Sequence, residues 1–187
     1  MRETGNSGCE QGMGLMAIRS AAAPDPSLVA EIRQVISLPK AWVAAGEMGW
    51  VDAGGRPKGF TFRERLSLPD GSQPANLFVQ SYFKPSTIQG CPDKLSISLF
   101  FNHHRVFAVD ENGRSGHVNH VGVGRPHFGQ RIGHPQVHTV SDDCIYGYAE
   151  PLESMTFEGY WDYFVSEARI TGAPPFQLPI LQLGLPV

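Results

Sequence analysis

The sequence predicts an α+β fold: an antiparallel β-sheet of about six to eight short strands, flanked by an N-terminal and a C-terminal helix. Three observations predict it. Apolar residues alternate with polar ones through much of residues 50–150, which is the period of a strand. Helical spacing occurs only towards the two ends. The 187 residues include 21 glycines and 15 prolines, well above the usual ~12%, and so supply the turns that many short strands need. An α/β sheet would require helices between its strands, and residues 50–150 hold no helical pattern.

Taken in order, residues 1–24 are mixed in polarity and Gly-rich towards their start, and read as a flexible tail. Residues 25–187 then form a single domain. Asp25-Pro26-Ser27 offers helix-start chemistry, a capping carboxylate and a proline tolerated in the first turn. Leu28, Val29, Ile32, Val35 and Ile36 follow at helical spacing until Pro39 interrupts them. Residues 42–45 read as a second short helical turn. Strands are expected over residues 60–68, where Phe60, Phe62, Leu66 and Leu68 alternate with polar partners. Others are expected over 77–83, 95–101, 105–109, 137–140 and 145–149. Asn102-His103-His104 reads as a hairpin tip. The closing helix is marked by Phe157, Tyr160, Trp161, Phe164, Val165 and Ala168 on one broad stripe, ended by Gly172 and Pro174-Pro175. That aromatic stripe is core.

Composition excludes several classes. No apolar run approaches the ~18 residues of a membrane span, and the start lacks an apolar signal core, so the expected setting is cytoplasmic. Three widely spaced cysteines, Cys9, Cys91 and Cys144, make neither a disulfide framework nor a CxxC knuckle. Cys144 reads as a small buried residue. The formal net charge is −3, but it is unevenly placed. Residues 141–187 carry seven acids and one base, Arg169, so a uniform basic footprint for duplex nucleic acid is absent. A local basic cluster remains around Arg105, Arg114, Arg125 and Arg131.

The strongest functional signal is histidine. All seven lie between His103 and His138, and histidine is the side chain that titrates near neutral pH. Two chemistries compete for this window. A zinc site could draw on His117, His134 and His138, completed by Asp142 or Asp143. Repeated glycines argue against a helix here, however, and on a strand His117 and His120 face opposite ways. The other chemistry is metal-free acid–base catalysis. His117 and Asn119 share one face of an extended segment, and Gln136 and His138 share a face of another. If those segments pair, the two imidazoles converge, with Asn119 and Gln136 as polar neighbours. RNA transesterification needs such a pair, one ring to take the 2′-hydroxyl proton and one to protonate the leaving oxygen. Arg105, Arg114 and Arg125 would hold phosphate.

Residues 105–176 also resemble an uncharacterised family of small proteins found in bacteria and their mobile elements. The likeness is carried by Val106-Phe107-Ala108-Val109-Asp110, Gly116-His117-Val118-Asn119, Gln136-Val137-His138, Tyr148-Ala149-Glu150-Pro151-Leu152 and the closing helix. The family pattern has H-x-H where Gln136-Val137-His138 stands, so the resemblance carries over through His117, Asn119 and His138 alone. Its paired-histidine strands are similar in outline to RNase toxins of bacteria.

The sequence therefore leads to a metal-independent RNA-cleaving or RNA-handling protein of a toxin, phage or defence setting. His117 and His138 are its expected acid–base pair, Asn119 its positioning group, and single-stranded RNA its partner, with no membrane involved. The alternatives are a non-catalytic inhibitor or antitoxin-like protein that docks on a host or cognate protein through its acidic C-terminal third, and a zinc-binding protein. The test that separates them is spatial. Rings about 5–8 Å apart across an open groove admit a phosphate, whereas rings back to back or sealed under aromatics do not.

Overall fold

The computed structural model describes residues 23–113 and 115–179. The expected tail lies outside them except for its last two residues, as do Arg114 and residues 180–187. The chain opens with α1 (Pro26–Ser37), capped by Asp25, whose carboxylate accepts from Ser27 N at 2.9 Å. Eight strands separated by loops and a covering ribbon follow: β1 (Lys40–Trp42), β2 (Val51–Gly54), β3 (Gly59–Ser67), β4 (Phe78–Lys84), β5 (Lys94–Phe101), β6 (His104–Glu111), and, after the ribbon, β9 (Gln136–Thr139) and β10 (Tyr148–Pro151). The ribbon is β7 (Gly116–Val118) with β8 (Arg131–Gly133). Last come α2 (Phe157–Glu167) and the short β11 (Ile170–Thr171).

The main sheet runs β10-β9-β6-β5-β4-β3-β1-β11, with β2 also on β3. Every pairing is antiparallel except β1 with β11. The α+β class and the antiparallel sheet match the sequence reading. The strand number is larger than expected because short strands form at tertiary contacts. The helical turn expected over residues 42–45 does not form: Trp42 ends β1, where Ala41 and Trp42 pair with Ser67 and Leu66, and residues 43–45 are irregular. Nor do the helices bracket the sheet: α2 precedes β11, and both helices pack on the same face. The core there holds Val29, Ile32 and Val35 of α1 together with Phe62, Leu99 and Val109 of the sheet. From α2, Trp161 meets Trp42 edge-on at 5.7 Å and Phe164 stacks on Phe107 at 5.6 Å.

The register sorts everything else onto the opposite face, since directly paired residues point the same way. One row across the strands reads Thr61, Tyr82, Ser96, Asp110, Gln136. The next reads Arg63, Gln80, Ser98, Ala108, His138, Ala149. This is a polar face. Its β6–β9–β10 end is covered by the β7–β8 ribbon and by residues 141–147, while Arg63, Arg65 and Tyr82 at its other end are exposed. Among the described residues no helix is long and apolar enough to cross a membrane.

Candidate functional site

Asp110 is the anchor of the site. It ends an otherwise apolar stretch of β6 and is 4% exposed, so its charge needs partners. Arg105 Nη2 meets Oδ1 at 2.5 Å, Ser96 Oγ donates to the same oxygen at 2.6 Å, and His138 Nε2 lies 3.2 Å from Oδ2. Burial alone would raise this carboxyl; the hydrogen bonds from His138, Arg105 and Ser96 and the Arg105 charge outweigh it and hold the carboxyl well below the usual range. Arg105 is in turn fixed by Ser98 Oγ at 2.7 Å, by Ser96 Oγ at 2.9 Å and by the Tyr146 hydroxyl.

His138 sits beside Asp110 on β9 and is 3% exposed. Burial pushes its imidazole below the ordinary value, with Asp110 opposing and the neighbouring Arg105 and His117 adding to the fall. The contact with Asp110 is therefore a hydrogen bond from a neutral ring. A carboxylate only accepts, so Nε2 carries the proton and Nδ1 keeps the lone pair. Nδ1 is buried and has no hydrogen-bond partner among the described residues. Gln136 Nε2 lies 2.8 Å from His138 Nε2, while Gln136 Oε1 is buried without a partner among the described residues. Two donors cannot bond, so the amide is turned over, with its oxygen accepting from Nε2–H.

His117 meets this ring from above. The two imidazoles stand 5.3 Å apart, centroid to centroid, at 73°. They converge by a route the sequence did not suggest. The segment of His117 does not pair with that of His138; β7 pairs with β8, with His117 opposite Ile132, and the ribbon folds over the sheet. His117 is half-buried, and its Nε2 bonds Gly147 O. A carbonyl only accepts, so Nε2 carries a proton, and Nδ1 is the nitrogen left to exchange one. The groove between the rings is not open: Tyr146 stacks over His138 at 4.9 Å and 29°. Tyr146 is itself 38% exposed, and together with the ribbon it leaves His138 only 3% exposed.

The other expected site residues fall elsewhere. Asn119 is fully buried, and its amide is wholly engaged with backbone. Nδ2 donates to His127 O at 2.9 Å and Ala149 O at 2.8 Å, and Oδ1 accepts from Ala149 N at 2.8 Å. It pins residues 119–130 to the edge of β10 and has no donor left for a bound group. Arg125 lies on the helix side of the sheet. It stacks over Tyr148 at 3.9 Å, bonds Thr139 Oγ1 at 3.0 Å and pairs with Glu150 at 2.8 Å. Thr139 and Glu150 alternate with the residues that face the histidine pair, so Arg125 does not reach it. Arg105 does, but as a partner of Asp110 rather than as an unengaged phosphate ligand. Arg114 is outside the described residues.

The zinc set does not assemble as expected either. His134 Nδ1 donates to the backbone oxygen of Asp110 at 3.1 Å. Asp142 pairs with Arg33 at 2.7 Å, and Asp143 accepts from Gly122 N, Val123 N and Ser141 Oγ. Among the described residues no three His, Cys, Asp or Glu side chains converge as metal ligands. Cys144 is half-buried, and its thiol donates to Tyr146 O at 2.8 Å.

Sequence reasoning missed Asp110 and Tyr146 as members of the site. A signal existed for the first, an acid at the end of Val106-Phe107-Ala108-Val109, in a strand otherwise fit for burial. None existed for Tyr146, which arrives on a loop. Comparison with family models, curated proteins and solved structures gives no match, so any function must be argued from the site itself.

Proposed function

We propose that the protein cleaves single-stranded RNA without a metal, using His138 and His117 as base and acid. The observation that carries this reading is the 5.3 Å approach of the two imidazoles, one of them oriented by a buried carboxylate. The neutral His138 takes the 2′-hydroxyl proton on Nδ1, and the 2′-oxygen attacks phosphorus. The P–O5′ bond breaks, and the leaving oxygen takes a proton from His117 in its imidazolium form. One proton is accepted and one given, leaving a 2′,3′-cyclic phosphate and a 5′-hydroxyl. The site is closed in this conformation: Nδ1 is buried, Tyr146 stacks over the His138 ring, and imidazoles at 5.3 Å and 73° touch edge to face. Substrate must therefore move the Tyr146 ring and part the ribbon from the sheet, which makes Tyr146 a cover rather than a catalytic group.

The experiment is cleavage of a fluorogenic single-stranded RNA in EDTA. His117→Ala and His138→Ala should each lower the rate by about 10²-fold or more with folding intact, the usual size of an acid–base contribution. Tyr146→Ala should keep or raise it. Activity that vanishes in EDTA and returns with zinc would sink the proposal.

The burial of His138 favours a second reading, a non-catalytic protein that binds a host or cognate partner. Its acidic surface would be the outer side of α2 and the turn before it, where Glu153, Glu158, Asp162 and Glu167 are exposed. Full biological activity in a His117→Ala/His138→Ala protein would select this reading over catalysis.

A further inference from the structure

We propose that the uncovered part of the polar sheet face, on β3, β4 and β5, is a platform for single-stranded RNA leading to the His117–His138 pair; the direction of the path rests on the RNA-cleaving reading of that pair. Both helices lie behind the sheet, so this face is reachable. The register puts Arg63, Arg65, Lys84 and Lys94 on it. No acid of these three strands joins them: their one carboxylate, Glu64, pairs with Val79 and so faces the other way. Among the described residues none of the four cations is in an ion pair. In a chain of net charge −3, these three strands thus present four cations and no acid on this face, which suits a phosphate backbone.

Aromatic groups lie among these charges. Tyr82, 36% exposed, spreads its ring across β3 at Gly59. A Cβ there would sit 2.6 Å from the Tyr82 hydroxyl oxygen, so only glycine allows the ring to lie flat. Farther along, Phe78 and Phe100 stack at 5.0 Å and 6°, and the Arg63 guanidinium covers Phe78 at 3.4 Å. A cavity of about 570 Å³ opens over this stack, beside Asn76 and His103. Phe78 is buried in this stack, so what faces solvent is the Arg63 guanidinium and the Tyr82 ring. Unstacked bases pack on such planes, and a duplex cannot offer its bases to them. The surface is also continuous with the site. Arg105 bonds Ser96 and Ser98 on one side and Tyr146 on the other. From Arg63 to His138 the row crosses four strand spacings, about 19 Å, room for a short run of nucleotides.

The test uses His117→Ala protein, so that cleavage cannot consume the probe, and a fluorescein-labelled ten-nucleotide oligouridylate read by anisotropy. The single strand should bind with an affinity that falls steeply with salt, and a duplex of equal length should bind about tenfold more weakly. Arg63→Gln/Arg65→Gln/Lys94→Gln should lower affinity at least about tenfold and flatten the salt slope. Tyr82→Ala should lower it about fivefold or more, with melting temperatures unchanged in both. Absence of binding at low salt, binding untouched by these variants, or capture of an acidic protein by this face without RNA binding would each overturn the platform. The two proposals fail separately. RNA binding through this face in a protein that never cleaves removes only the catalytic reading. Histidine-dependent cleavage with binding indifferent to the face removes only the platform.

Discussion

Asp110 acts on His138 in two ways, and both are testable at the scale of one side chain. Its carboxylate fixes which imidazole nitrogen carries the proton, and its charge pulls the His138 pKa up against the larger effect of burial. Asp110→Asn removes the charge while keeping an oxygen acceptor. The pH–rate profile of RNA cleavage should be bell-shaped in the parent, and its acidic limb should move to lower pH in the variant. A structural role alone would lower the rate without moving the limb. Asp110→Ala is the harsher change, because it strands the guanidinium of Arg105 and costs about 3–5 kcal/mol of stability.

Asn119 shows what the element scale adds. On the sequence it shares a strand face with His117, and the H-x-N pattern invited a role in positioning substrate. In the fold it replaces the missing neighbour of an edge strand, satisfying the N–H and C=O of Ala149 that β10 would otherwise leave unpaired. The same loop packs Gly122, at φ +87°, directly on the Tyr148 ring, where a side chain has no room. Asn119→Ala should therefore destabilise the protein by about 2–4 kcal/mol, since buried backbone groups lose their partners. Chemical denaturation measures this, and Asn119→Asp should recover little, because a carboxylate cannot donate to Ala149 O. A full-stability variant with reduced RNA cleavage would instead return Asn119 to the catalytic machinery. At the C-terminal end of α1 a side chain does comparable work. The Lys40 ammonium donates to the carbonyls of Val35, Ile36 and Leu38 at 2.7–3.0 Å, and burial, with the like charge of Arg169 adding, lowers its pKa to about 8.

For the whole molecule, the buried polar network makes stability depend on pH with a definite sign. His138 is harder to protonate folded than unfolded, so its contribution is complete above about 6.5 and is lost as pH falls from there towards the native value. Asp110 is depressed too, and its contribution is lost only below about 4, as pH drops towards its native pKa. Thermal melts should show a first decline as pH falls below about 6.5 and a steeper one in acid. His138→Gln should remove the first decline while leaving the second. A melting temperature flat from pH 7 to 5 would contradict the buried, neutral state of His138.

Sequence alone determined the elements whose cause is local. The cap at Asp25 with the stripe from Leu28 to Ile36, the alternation in β3 and β5, and the aromatic stripe of α2 each encode their own period, and each formed where that period lies. Histidine clustering also singled out His117 and His138, whose rings the fold brings to 5.3 Å, though not by the pairing of their segments that alternation suggested. What a strand face meets is not local. Only the tertiary structure decided that β7 pairs with β8 and swings over the sheet, that Arg125 falls behind it, that Tyr146 covers His138, and that four cations share an open surface. Strand register and loop path are set by contacts between residues far apart in the chain, and a one-residue difference in pairing sends a side chain to the opposite face.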